Sequence, residues 1–198
     1  MTDETLHRIE EFAFSFPTDL SHGEDHVRRV TKNALKIAAN YPDINIDALY
    51  CACILHDCGR IEQINDPCVP HARAGAEKAF KFLSKNGFEG EFAEFVSRII
   101  AAHSSPDEAE QTGLEAKILF DADKLEMTGA VGISRALMYA ISADEKLYEA
   151  NKRNFSDELL NDMNFAQSHF FTPEARLLSQ NRLKLMNEFY LSLLSEVN

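Results

Sequence analysis

The sequence predicts an all-α protein, and three observations support that prediction. Apolar residues recur at the spacing of one helical face along most of the chain. Val and Ile are thinly spread, without the strict apolar alternation or the hairpin signal of a β-sheet. Proline, glycine and capping residues divide the chain into segments of helical length. With 198 residues, 45% of them apolar, the chain suits a single helical domain over residues 1–198 with a substantial core.

The charge balance limits the partners that we expect. The chain has 32 acidic and 20 basic residues, for a formal net charge of −12. Such a surface repels nucleic-acid polymers and anionic membranes, whereas a small phosphorylated substrate stays compatible with it if a metal ion and local cations offset the repulsion. No apolar run approaches the roughly 20 residues of a membrane span. The acidic N-terminus is unlike a signal peptide, so the sequence predicts a cytoplasmic protein. The sequence leaves the oligomeric state open.

Four cysteines lie close together, at Cys51, Cys53, Cys58 and Cys68. No pair has the C-x-x-C spacing and no second pair follows, which argues against a zinc knuckle. We expect buried, reduced thiols that act as small apolar side chains.

The first two predicted helices precede the chemically informative stretch. An amphipathic first helix ends at Pro17, since proline cannot continue a helix. The second begins near residues 21–24 and runs to about Asn40. Its inner stripe includes His26 and Val30, so His26 points inward beside apolar residues. A lone inward histidine also fits a core position in which the ring is hydrogen-bonded.

The third predicted helix carries apolar residues up to an adjacent His56-Asp57 pair, and Gly59 then stops it. Asn45 or Asp47 caps the start of this helix. An imidazole beside a carboxylate is costly in an apolar core but is a good ligand pair for a divalent cation.

Further helices follow in order, after a loop that contains Pro67 and Pro70. We predict helices from His71 to Gly87 and through Phe92 to His103, and a capping box at Ser105-Pro-Asp-Glu. Later helices are predicted over 114–127, 131–143 and 172–196. The polar and aromatic stretch at about 144–171 is expected to be a lid or an irregular loop.

Ligand-type side chains collect on the inward faces of these elements. Each comes from a different predicted helix or helix end, as in metal sites built at the centre of helical bundles. The set is His26, His56, Asp57, His71, His103 and either Asp121 or Asp123. One shared cation explains this set more simply than several buried titratable groups that are satisfied independently.

Three motifs in this order resemble the HD-domain metal-dependent phosphohydrolases. They are His26-Val-Arg-Arg-Val, Ile-Leu-His56-Asp57 and Asp121-Ala-Asp123-Lys124-Leu. The chain resembles small stand-alone bacterial members of that superfamily, over about residues 20–140. The resemblance implies an HD-type helical bundle with a central metal site, and C-terminal helices at 144–198 that pack on this core.

The resemblance also implies the metal ligands His26, His56, Asp57 and one later aspartate. Asp121 and Asp123 lie about 200° apart on a regular helix, so both cannot face one centre. Periodicity does not choose between them. The family motif places the ligand just before a basic residue, so Asp123 is the predicted ligand and Asp121 a supporting carboxylate.

The number of metal ions depends on two further histidines. His71 and His103 resemble the extra histidines of members that bind two ions with the HD aspartate as a bridge. Several single-metal nucleotidases instead carry a Glu three residues after that aspartate, where this chain has Arg60. Two ions are therefore favoured; otherwise His71 and His103 bind phosphate or are structural. The expected ion is a divalent transition metal (Mn, Fe, Ni or Co) or Mg.

The predicted reaction is hydrolysis of a phosphoester or phosphoanhydride of a small, nucleotide-like substrate by metal-activated water. Asp57 would orient the nucleophile, while Arg60 and Lys124 would neutralise phosphate oxygens. Two alternatives stay open: a non-catalytic HD-fold sensor or interaction module, and a di-iron oxygenase on the same fold.

Overall fold

The computed structural model describes residues 1–19, 21–149, 152 and 154–197. Helices dominate this part of the chain, and it contains no β-strand, which confirms the all-α prediction. The α-helices are α1 (Asp3–Phe14), α2 (Glu24–Ala38), α3 (Ile46–Leu55), α4 (Arg60–Asn65), α5 (His71–Lys85), α6 (Gly90–Ala102), α7 (Pro106–Thr112), α8 (Leu114–Lys124), α9 (Gly129–Ser142), α10 (Phe155–His169) and α11 (Pro173–Val197). A short 3₁₀ turn, Leu125–Met127, follows α8.

The chain divides into two compact units, Met1–Ala122 and Asp123–Asn198. In the first unit α3 is central, because it packs against α1, α2 and α6, while α5 packs along α6. Seven of the ten residues of α3 are buried, which explains why its sequence is apolar on all sides rather than on one face.

The second unit is built from α9, α10 and α11, which pack on one another. Its buried apolar cluster comprises Ala136, Ala140, Phe155, Leu159, Met163 and Met186. The prediction of a single domain, with the C-terminal helices packed on the motif core, stays a prediction.

Two segments differ from the sequence-based expectation. Residues Arg60–Asn65, expected in a loop, form the short helix α4. The supposed lid at 144–171 contains the regular helix α10, although residues 150, 151 and 153 of that stretch lie outside the described residues. Asn154 explains the start of α10, since its side-chain oxygen accepts hydrogen bonds from the backbone N–H groups of Ser156 and Asp157.

The other boundaries agree with the predicted pattern to within a few residues. Ser105 caps α7 by accepting a hydrogen bond from the backbone of Glu108, as the predicted capping box requires. Cys51, Cys53 and Cys58 are buried, but Cys68 is exposed in the segment between α4 and α5. Within the described residues no helix is both long and apolar enough to cross a membrane.

Candidate metal centre

Helix α3 delivers the His56-Asp57 pair into the interior of the first unit. The helix starts at the cap Asn45, whose side chain accepts a hydrogen bond from Ala48 N at 3.0 Å. It ends at Leu55, so His56 and Asp57 follow at its C-terminus, with exposed fractions of 0% and 3%. His56 Nδ1 donates to the carbonyl of Cys53 at 2.8 Å. In the neutral imidazole this bond leaves the lone pair on Nε2, the form that binds a metal.

The Asp57 oxygen Oδ2 meets two imidazole nitrogens. It lies 3.6 Å from His26 Nε2 and 3.4 Å from His56 Nε2, and all three side chains are buried. Among the described residues Oδ2 finds no hydrogen-bond donor, which is unusual for a buried carboxylate oxygen. Metal–ligand bonds of about 2.0–2.2 Å place neighbouring ligand atoms roughly 3–3.5 Å apart, so each of these two separations is close to that of two ligands on one divalent ion.

The other oxygen, Oδ1, has different neighbours. It accepts a hydrogen bond from Arg60 Nη2 at 3.0 Å and lies 3.8 Å from His71 Nε2. His71 begins α5, and its Nε2 is 3.3 Å from His103 Nε2 at the end of α6. Sequence-predicted residues from α2, α3, α4, α5 and α6 thus come together around one carboxylate.

Gly59 permits this convergence. A Cβ atom there would lie 2.3 Å from both the backbone N of Gly75 and the carbonyl O of His71, so only glycine lets α5 approach so closely. The close packing brings the first turn of α5, with His71, to the carboxylate of Asp57.

Electrostatics keep Asp57 ionised. Burial alone would raise the pKa of this carboxyl, but His56, when its ring is protonated, and the Arg60 guanidinium hold the pKa well below its usual range. An anionic, buried carboxylate with adjacent imidazoles is the donor set that divalent transition metals and Mg²⁺ accept. His56, Asp57 and His103 each also offer one ligand-type atom, and these three atoms all lie within 4.8 Å of one another. These three buried residues could therefore hold an ion as well.

A cavity of about 90 Å³ reaches Asp57 between the end of α1 and the start of α2. By the same measure a single water needs only about 10–15 Å³. Phe14, Phe16, Thr18 and His22 contribute to its wall. The cavity therefore connects the buried carboxylate with the aromatic end of α1.

Asp19 holds His22 at this cavity, and sequence reasoning missed Asp19. Its carboxylate lies 2.8 Å from His22 Nδ1, and Oδ1 accepts from the backbone N of Ser21 at 2.8 Å. Burial raises the pKa of Asp19, but the contacts with His22 and Ser21 outweigh burial and lower it. Burial disfavours the charged form of His22 and lowers its pKa. The hydrogen bond to the Asp19 carboxylate raises that pKa but only partly offsets the effect of burial. The Asp-x-Ser pattern of a local side-chain turn was the available signal.

The later acidic motif occupies the end of α8. Asp121 is fully buried in the first unit. Asp123 belongs to the second unit and is half-buried, and Lys124 Nζ donates to its Oδ2 at 2.8 Å. The assignments of Asp123 as a ligand and Lys124 as a phosphate contact stay predictions.

Comparison with known proteins places the chain in a family. The HD domain family model matches residues 23–128, which is more than half of the chain. YpgQ of Bacillus subtilis strain 168 is 29% identical over 200 residues, covering 92% of this chain and 88% of that protein. The 3′-5′ exoribonuclease YhaM of Listeria monocytogenes is 22% identical over 125 residues, but the match spans 54% of this chain and only 40% of YhaM.

Solved structures agree on the fold. The crystal structure of a predicted HD superfamily hydrolase from an uncultured Thermotogales bacterium is 28% identical, with a TM-score of 0.67, covering 99% of this chain and 93% of that one. Bacillus subtilis YpgQ in complex with ADP is 23% identical, with a TM-score of 0.79 and 97% coverage of both chains. The chain belongs to the HD domain family.

Proposed function

We propose that this protein is a metal-dependent phosphohydrolase that cleaves a phosphoester or phosphoanhydride of a small, nucleotide-like substrate. One observation carries the proposal: among the described residues Asp57 Oδ2 has no hydrogen-bond partner, yet it lies 3.6 and 3.4 Å from the Nε2 atoms of His26 and His56. A bound cation would satisfy these atoms together, whereas an unsatisfied buried carboxylate oxygen is costly.

His26, His56 and Asp57 would hold the ion, with Asp123 as the fourth protein ligand that the family resemblance implies. When bound, a divalent ion would lower the pKa of a water molecule toward neutrality and would offset negative charge on the phosphate oxygens. Oxygen and imidazole donors suit Mn²⁺, Fe²⁺, Co²⁺, Ni²⁺ or Mg²⁺.

The chain's own residues would bind and orient the substrate. The mostly buried Arg60 guanidinium is held against Asp57 and has, among described residues, an Nε with no hydrogen-bond partner. It would attract phosphate oxygens toward the carboxylate. Lys124 would add a second positive charge from the end of α8. Asp57 would orient the attacking water.

Two observations support a small substrate with nucleotide character. The cavity that reaches Asp57 has aromatic side chains, Phe14 and Phe16, in its wall. The structurally similar YpgQ was solved with ADP, which supports a nucleoside phosphate as the ligand class. The net charge of −12 argues against an RNA polymer, although YhaM is an exoribonuclease.

A substrate panel tests the proposal. The protein is purified without chelator, supplied with each candidate metal, and assayed with nucleoside di- and triphosphates, phosphate monoesters and short RNA. We expect metal-dependent hydrolysis of one or more small phosphates and none of RNA. Asp57→Asn should lower the rate at least ~100-fold, since it weakens a charged ligand.

Asp107→Asn is the matched control, because Asp107 lies on the first turn of the surface helix α7. Equal activity in Asp57→Asn and wild type would overturn the proposal. Oxygen consumption with iron would favour the oxygenase alternative, and binding of nucleotides without turnover would favour the sensor alternative.

A further inference from the structure

A second cavity of the first unit lies between α1, α2 and α3, and the proposed reaction makes no use of it. Its volume is about 280 Å³, against about 90 Å³ for the cavity at Asp57. This size is near the lower end of the roughly 300–1,000 Å³ that is typical of small-molecule sites. The wall of this cavity, the α1–α3 pocket, is formed by Glu10, Arg28, Thr31, Lys32, Leu35, Tyr50 and Ile54.

Helical spacing explains how the α1–α3 pocket is built. Arg28, Lys32 and Leu35 stand at positions i, i+4 and i+7 of α2, so they share one face of that helix. Tyr50 and Ile54, at i and i+4, share a face of α3. Ile54 is 2% exposed and Leu35 is 36% exposed, so the apolar part of the wall runs from the core to the surface.

The carboxylate of Glu10 is already satisfied within this pocket. Its Oε1 accepts a hydrogen bond from the Tyr50 hydroxyl at 2.8 Å, and its Oε2 accepts one from Arg28 Nη2 at 3.1 Å. Burial and the bond to Glu10 raise the pKa of Tyr50 to about 12, so the phenol keeps the proton that it donates. Arg28 Nε in turn donates to Glu24 at 2.7 Å. Both carboxylate oxygens of Glu10, and much of the charge of Arg28, are therefore engaged inside the protein.

Lys32 is the remaining charged residue of the pocket wall. It is exposed on α2, and it pairs with no carboxylate of the residues that the structure describes. The hydroxyl of Thr31 is engaged, because it donates to the carbonyl of Val27 at 2.8 Å. A ligand in the pocket would thus meet one uncommitted ammonium group beside apolar side chains. One ammonium group balances a single negative charge, whereas a phosphate with about two charges would leave excess negative charge near Glu10.

We propose that the α1–α3 pocket binds a small organic monocarboxylate, with the carboxylate at Lys32 and an apolar body against Leu35 and Ile54. The ammonium group supplies a charge-assisted hydrogen bond, and the apolar wall supplies area that the ligand removes from water. Small-molecule sites commonly combine an apolar wall with a few polar groups in this way.

This site is separate from the metal centre, and the inference goes beyond the proposed function. None of the residues proposed to hold the ion lines the α1–α3 pocket. Ile54 contributes to the walls of both cavities, but Lys32 and Leu35 line the α1–α3 pocket alone. Substitutions at Lys32 and Leu35 therefore change the pocket without changing the cavity at Asp57.

The fluorescent carboxylate 2-naphthoate is the probe, and the complete chain loaded with Mn²⁺ is titrated with it. The uncharged 2-naphthamide, which has the same rings, is titrated in parallel. We expect saturable binding of close to one 2-naphthoate per chain. Affinity for 2-naphthamide should be at least ~10-fold weaker, because the amide lacks the charge that Lys32 would bind.

Variants of the pocket wall locate the bound probe. Lys32→Gln should weaken the binding of 2-naphthoate at least ~10-fold and leave that of 2-naphthamide unchanged. Lys32→Arg keeps the charge and should restore most of the affinity. Leu35→Asp should weaken the binding of both compounds, since it places a carboxylate in the apolar wall. Lys36→Gln is the matched control, because Lys36 is exposed on the same helix but does not line the pocket.

Binding of the carboxylate to the metal ion is the alternative location, and His56→Ala separates the two sites. The variant alters the metal centre alone, so it should bind 2-naphthoate as the wild type does. Nuclear magnetic resonance of the methyl-labelled protein should also show nuclear Overhauser contacts between the naphthalene ring and the Leu35 methyl groups.

Four outcomes would overturn the inference. They are the absence of saturable 2-naphthoate binding, equal affinity for 2-naphthamide, equal affinity of Lys32→Gln and wild type, and loss of binding in His56→Ala. None of these measurements reads catalytic activity, so failure of the proposed function leaves the inference about the α1–α3 pocket standing.

Discussion

Arg60 Nη2 donates a 3.0 Å hydrogen bond to Oδ1 of Asp57, and this contact gives the two sides of the carboxylate different chemistry. The guanidinium satisfies one oxygen, and its Nη1 also lies 3.4 Å from His71 Nδ1. The other oxygen faces His26 and His56, and no described residue donates to it. A permanent charge supplied by the chain therefore lies next to the atoms proposed to hold a metal ion.

Gly59→Ala should destabilise the protein by about 1–3 kcal/mol or more, because the added methyl group would overlap the backbone of α5. Urea unfolding measures the free energy of unfolding. Gly90→Ala is the matched control: among the described residues no atom lies within 4 Å of a Cβ placed there. Gly90 begins α6, so alanine should be neutral or stabilise by up to ~1 kcal/mol. Equal stability of Gly59→Ala and wild type would contradict the close approach.

Thiol labelling should distinguish Cys68 from the other cysteines. Burial raises the pKa of both Cys51 and Cys58 to about 12, so few thiolates exist at neutral pH and reagents reach them slowly. Cys68 is exposed and should account for the rapid phase of reaction with a disulfide reagent. Cys68→Ser should abolish that phase, and a rapid phase that persisted in the variant would refute the assignment.

Asp162 should make stability depend on pH in the second unit. Burial and the neighbouring Glu158 raise the pKa of Asp162 from 3.8 to about 7, against the opposing influence of Arg135 and Lys124. The folded protein holds this proton more tightly than the unfolded chain. Its contribution to stability is thus complete below pH 3.8 and is lost as the pH rises through about 7.

Asp162→Asn should remove that pH dependence. Relative to wild type, the variant should gain roughly 1–2 kcal/mol of unfolding free energy between pH 4 and pH 8, a figure reduced for solvent screening. Denaturant unfolding across this range measures the difference, with Asp107→Asn as the control. A constant difference between Asp162→Asn and wild type at all pH values would show that Asp162 has an ordinary pKa.

The predictable part of the site comes from local patterns. His26 lies on the buried stripe of α2 because the 3.6-residue period places it there, and His56 and Asp57 are buried because an apolar helix ends at them. These signals lie within single elements. The fold class was predictable for the same reason.

The remaining features depend on contacts between distant segments. The course of the Arg60 side chain depends on His71, eleven residues away, and the pairing of His71 with His103 depends on how α5 packs along α6. Helix α10 is different, because its buried positions Phe155, Leu159, Met163 and Ala166 recur at helical spacing, so its signal was local and was missed. Helical periodicity likewise does not show whether Asp121 or Asp123 is the metal ligand.

Calorimetric titration of the chelator-treated protein with Mn²⁺ tests the central claim most directly. We expect reversible binding in the wild type, and affinity at least ~100-fold weaker in His56→Ala and Asp57→Ala, since each loses a proposed ligand. His7→Ala should bind as the wild type does, because the His7 side chain is 72% exposed and pairs only with Glu11 among the described contacts. Unchanged Mn²⁺ affinity in both His56→Ala and Asp57→Ala would contradict the account.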